Sequence, residues 1–67
     1  MDSKTRRAYR IAFEFHAQHQ PAENNAAFWE RTARDMVETA SSSQNDSFLL
    51  DLLAAVYDQL EREAQTQ

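Results

Sequence analysis

Sixty-seven residues make one domain at most, since domains seldom fall below about 50 residues. With no glycine the chain has no phosphate-cradling loop, dinucleotide fingerprint, nucleophile elbow or EF-hand loop, and with no cysteine it has no disulfide, thiolate zinc site or thiol nucleophile. A formal net charge of -4 makes free nucleic acid and anionic membrane poor default partners. The first predicted element is a helix over about 3–20, starting at Ser3 as N-cap and closed by Pro21, which disfavours helical geometry at Gln20. Its apolar residues, Ala8, Tyr9, Ile11, Ala12, Phe13 and Phe15, cover an arc of about 200°, wider than one buried stripe needs.

A second helix is expected over about 25–40, capped by Asn24 or Asn25. Its apolar face reads Trp29, Ala33, Met36, Val37 and Ala40, flanked by Phe28 and Thr32. On the other side Glu30 and Arg34, Arg34 and Glu38, and Arg31 and Asp35 stand at i,i+4 spacing, each pair supporting the helix by about 0.2–0.5 kcal/mol. The polar stretch 41–46 then favours caps and turns, because short hydroxyl and amide side chains compete for backbone hydrogen bonds. A third helix over about 46–64 follows, capped by Asn45, Asp46 or Ser47. It carries Leu49, Leu50, Leu52, Leu53, Val56, Tyr57 and Leu60 over roughly 160°, with Phe48 outside that arc. No segment shows β alternation and no internal repeat is present. The expected fold is all-α, a small antiparallel three-helix bundle built around Ile11, Phe15, Trp29, Met36, Leu49, Leu53, Val56 and Leu60. In that core Trp29→Ala is expected to rank among the worst substitutions.

The apolar fraction of 42% suits a folded chain, and no run approaches the roughly 20 apolar residues of a spanning helix. No basic stretch followed by an apolar run opens the chain, so a secretory signal is not expected and the reading is cytoplasmic. A bundle this small seldom holds more than about 3–5 kcal/mol without a staple. The surplus arcs of the first and third helices therefore predict completion by a homodimer, with Tyr9, Phe13, Phe48, Leu50 and Tyr57 as the interaction surface.

Few residues carry chemistry. His16 and His19 stand one helical turn apart and can share a metal, but no third ligand follows at fixed spacing, so the reading is no metal and no cofactor. Placement at a helix C-terminus, where a cation faces the negative end of the dipole, accounts for both. Ser41, Ser42 and Ser43 with a histidine hold the letters of a hydrolytic triad without the dry pocket and oxyanion hole it needs. Asp51, Asp58 and Glu61 fall on the polar side of their helix, where no burial raises a carboxyl for acid–base work. The chain is read as non-enzymatic.

Charge is segregated. Residues 1–20 carry Lys4, Arg6, Arg7 and Arg10 against Asp2 and Glu14, whereas residues 46–67 carry Arg62 against Asp46, Asp51, Asp58, Glu61 and Glu63. Two readings compete: compensation by Asp46 and Asp51 at the same end of the bundle, or a basic patch for an acidic partner. Ala8-Tyr9-Arg10-Ile11-Ala12-Phe13-Glu14-Phe15-His16, Phe28-Trp29 with Asp35-Met36, and Leu52-Leu53-Ala54-Ala55-Val56-Tyr57-Asp58 together resemble small uncharacterised helical proteins encoded by bacterial mobile elements. That resemblance implies a bacterial accessory protein and attaches no activity to any residue. The expected function is a protein-interaction module, a small adaptor or regulator. The alternative is a nucleic-acid-associated regulator using the basic first helix, although helix-turn-helix binding would also want a basic recognition helix.

Overall fold

The computed structural model describes residues 1–66. Three helices account for nearly all of them: α1 (Ser3–Gln18), α2 (Ala26–Ser42) and α3 (Ser47–Gln65). They run up, down and up, so the chain is an all-α three-helix bundle, with extents of 37 × 20 × 16 Å. No strand occurs among the described residues.

Each helix starts on a side-chain cap that satisfies an otherwise orphaned backbone donor. For α1 that cap is Asp2 and not Ser3: Thr5 N–H donates to Asp2 Oδ1 at 2.7 Å. A carboxylate is the stronger acceptor, so the helix begins one residue earlier at its cap and Ser3 becomes its first residue. Asn25 caps α2 by accepting from Phe28 N–H at 2.8 Å, and Asp46 caps α3 by accepting from Leu49 N–H at 3.1 Å.

The helix ends differ from the sequence reading by about two residues. α1 closes at Gln18, with His19 as its C-cap. α2 runs on to Ser42, because the Ser42 hydroxyl donates back to the Glu38 carbonyl at 2.9 Å without leaving the helix. The turn into α3 is made by Gln44 and Asn45, both in the left-handed region at φ 58° and 54°. Asn45 N–H reaches back to the Ala40 carbonyl at 2.8 Å and ties off the helix end.

The backbones of α1 and α3 run side by side, α2 meets α3 more sparsely, and α1 and α2 have no close backbone approach. Short breaks had favoured chain neighbours as packing neighbours. Side-chain size decides otherwise. Ala8, Ala12 and Ala64 are buried and let α1 and α3 close up, while the Phe28 ring fills the space under α2.

Phe15, Leu49, Leu53 and Leu60 are buried as expected. Ile11, Trp29, Met36 and Val56 instead pack at the margin, only partly buried. The face of α2 is rotated from the sequence reading: Phe28 and Thr32 are buried, whereas Ala33 and Val37 are exposed. Phe28 takes the central place beneath His19, and Trp29 leans outward onto Tyr57 with ring centroids 5.3 Å apart. The expected severity of Trp29→Ala therefore passes to its neighbour Phe28.

None of the three i,i+4 ion pairs expected on α2 forms within 4.0 Å among the described residues. Asp35 turns to His19 at 2.9 Å, and the Arg31 guanidinium lies over the Phe28 ring, 5.8 Å from its centroid. Tertiary partners outcompete a surface pair worth a few tenths of a kcal/mol.

Candidate interaction surface

The two histidines hold helices together. His19 is 5% exposed and stacks on Phe15 at 4.2 Å, four residues earlier on the same helix face. Its Nδ1 lies 2.7 Å from the Phe15 carbonyl and its Nε2 lies 2.9 Å from Asp35 Oδ2. The ring thus bridges the backbone of α1 to the side chain of Asp35 on α2. His16 Nε2 lies 2.9 Å from Glu63 Oε2 and joins the end of α1 to the end of α3. Gln20 donates to Glu63 Oε1 at 2.7 Å and Gln59 donates to Oε2 at 3.2 Å. The Gln20 amide above all, then His16 and Gln59, holds the Glu63 carboxyl below its ordinary value.

A carboxylate so thoroughly hydrogen-bonded is a poor base, and no nucleophile lines the shallow cavity of about 230 Å³ beside it, which Phe13, His16, Ala17, Gln20 and Glu63 surround. His16 and His19 have separate partners. Among the described residues no group of three or more histidine or acidic side chains is placed to hold a metal ion. The serines of the second turn lie where α2 ends, at the end of the bundle away from both histidines, and Asp51, Asp58 and Glu61 are exposed.

The four cations of α1 do not form a stripe. Lys4 pairs with Asp46 at 3.2 Å, the compensation that the shared end of α1 and α3 allows, while Asp51 takes no part in it. Arg10 reaches Glu14 only at 3.9 Å, and Arg6 and Arg7 have no ion-pair partner among the described residues. Lys4 and Arg7 border a cavity of about 350 Å³ floored by Ala8, Ile11 and Leu49, and Asp46 at the same rim offsets part of their charge. Arg6 and Arg10 point instead to the outer side of α1.

The five aromatic and aliphatic residues expected at an interface do not form one patch. Tyr9 is 49% exposed and meets Phe48 edge-on at 5.2 Å, and Phe13, one turn further along, is 73% exposed. These three lie along the seam between α1 and α3, where Leu52 follows Phe48 by one turn and is half-buried. Leu50 and Tyr57 belong to the opposite flank of α3, facing α2. There Tyr57 is half-buried against Trp29 and Leu50 remains exposed.

The antiparallel register that sets Trp29 against Tyr57 brings Val37, 65% exposed, to the level of Leu50. Val37 is the surface residue that the sequence reading missed. It falls within a continuous apolar arc, and nothing in the helix's own pattern marks which edge of that arc faces outward. Two exposed apolar seams thus flank α3, one centred on Phe13 and one on Val37 and Leu50. No helix among the described residues is long and apolar enough to cross a membrane. No protein-family model, curated protein or solved structure matches the chain.

Proposed function

We propose that this chain is a non-enzymatic protein-interaction module, a small adaptor or regulator of the bacterial cytoplasm that works by docking a helical face and associates with itself, a homodimer being its smallest product. The observation that carries the reading is Phe13, a phenylalanine 73% exposed beside the part-exposed Tyr9 ring on the most tightly packed helix pair of the fold. Burying one such ring is worth about 1.5–3 kcal/mol, comparable with the stability available to a bundle of this size. A catalytic reading lacks a nucleophile, a basic carboxylate and a water-excluding pocket in one place.

Light scattering on the purified chain at high micromolar concentration tests the proposal. Phe13→Glu is expected to abolish association while leaving the helix content intact, because a change at an exposed site alters stability by about 0.5 kcal/mol or less. Phe15→Glu is expected to unfold the subunit, because it places an unpaired charge in the core. A strict monomer mass of 7.8 kDa for the unaltered chain would sink the proposal.

A further inference from the structure

The start of α1, the end of α2 and the start of α3 meet at one end of the bundle, and the cavity of about 350 Å³ lies between them. Its origin is a difference in packing along the bundle. The backbones of α1 and α2 have no close approach. Toward the other end Phe15, His19 and Phe28 fill the space between the two helices with rings. Here the facing residues are small, Ala8 on α1 and Ser43 at the end of α2, and a hollow stays open. Ala8 and Leu49 are buried beneath it, and Ile11, partly buried, forms a wall. Lys4, Arg7, Ala8 and Ile11 follow one another at three- and four-residue spacing, so a single stripe of α1 passes from charged rim to apolar wall.

The rim has more unused donors than unused acceptors. The Arg7 guanidinium, the Ser43 hydroxyl and the Gln44 amide have no hydrogen-bond or ion-pair partner among the described residues. Lys4 spends one of its ammonium N–H groups on Asp46 Oδ1 at 3.2 Å. The other Asp46 oxygen accepts from Leu49 N–H at 3.1 Å, so both are occupied. Asp2 stands near enough to oppose the ionisation of Asp46, and its own Oδ1 accepts from Thr5 N–H. The charges of Lys4 and Arg7 are thus met by those of Asp46 and Asp2. What remains at the rim is a set of free N–H and O–H groups beside an apolar wall.

From this surplus we infer that the cavity binds a small amphipathic monocarboxylate, its carboxylate on Arg7 with the Ser43 and Gln44 donors and its apolar body against Ile11. The guanidinium fork matches two carboxylate oxygens at once. The volume falls at the lower end of the range of small-molecule sites, about 300–1,000 Å³. A phosphate monoester carries nearly two negative charges and would meet Asp46 and Asp2 with no net positive charge to offset them. The cavity shares no lining residue with the hollow beside Phe13, so the inference goes beyond the docking function proposed above and does not depend on it.

Backbone amide chemical shifts of the isotope-labelled full chain, titrated with hexanoate, test the site, and the same spectra report whether each variant is folded. Hexanoate at millimolar concentration is expected to move the amides of residues 4–11 and 42–49 along one saturating curve. Acetate, which lacks the apolar body, and hexan-1-ol, which lacks the charge, should each bind at least about tenfold more weakly, the scale of a few buried methylenes or of one charge-assisted hydrogen bond. Arg7→Gln alters an exposed side chain and should weaken hexanoate about tenfold with the fold intact. Ser43→Leu, which fills the hollow, should abolish binding. Four results would each overturn the assignment: no saturable shift in the unaltered chain, equal binding of hexan-1-ol, tighter binding of hexyl phosphate than of hexanoate, or an unchanged affinity in Arg7→Gln.

Discussion

Phe28→Ala tests the rotated face of α2 most directly. The Phe28 ring is 2% exposed, packs edge-on to Trp29 at 4.7 Å, and lies 6.5 Å from His19, with the Arg31 guanidinium on its face. Truncating a buried phenylalanine costs about 3–5 kcal/mol in transfer and cavity terms. The aromatic edge contact contributes about 0.5–1.5 kcal/mol beyond its area, which places this site toward the upper part of that range. A bundle of this length holds about 3–5 kcal/mol in all, so the variant should be largely unfolded at room temperature. Trp29→Ala removes a larger ring from a partly buried position at the margin of the core, where the gap left behind opens to water. Its cost should be about 1–2 kcal/mol, within the ordinary range for a partly buried site. Urea titrations followed by circular dichroism on the two variants give the comparison. If Trp29→Ala proves the more destabilising, the assignment of Phe28 to the core and Trp29 to its margin is wrong.

Two further outcomes follow from the turn and from the caps. Gln44 sits at φ 58° with a Cβ that crowds the following carbonyl, so Gln44→Gly should relieve about 1 kcal/mol of backbone cost, offset in part by unfolded-chain entropy, and raise the urea midpoint; a lowered midpoint would contradict this. Asp46 is held below its ordinary value first by the Leu49 N–H and then by Lys4, Asp2 chiefly by the Thr5 N–H, and Glu63 by Gln20. A carboxyl depressed in the folded state adds stability that is fully present above its unfolded value and is lost as pH falls through its folded value. The thermal midpoint should therefore fall as pH drops from about 5 to about 2.5, and less steeply in an Asp46→Asn, Glu63→Gln double variant. Equal slopes in the two proteins would show that other groups govern the acid limb.

The chain's own pattern determined three helices and their order, and narrowed the second and third caps to Asn24 or Asn25 and to Asn45, Asp46 or Ser47, because capping and the 3.6-residue period are local properties that need no tertiary partner. It also placed Phe15, Leu49, Leu53 and Leu60 in the core, the three leucines near the middle of their apolar arc. The tertiary structure decided what lies at the edges of those arcs. Phe28 and Trp29 are adjacent and both aromatic, and the helical wheel sets Trp29 in the middle of the apolar face with Phe28 at its flank, the reverse of their places in the fold. The choice fell to His19, which Asp35 and the Phe15 carbonyl anchor over Phe28. That contact joins residues 16 positions apart, and no spacing rule announces it. The same rotation exposed Val37 and drew Asp35 away from Arg31. The placing of α1 and α2 on either side of α3 divided the five surface residues read from the sequence, with Tyr9, Phe13 and Phe48 on one flank of α3 and Leu50 and Tyr57 on the other. Periodicity states how wide an apolar face is; only the packing of three helices on one another states which margin stays dry.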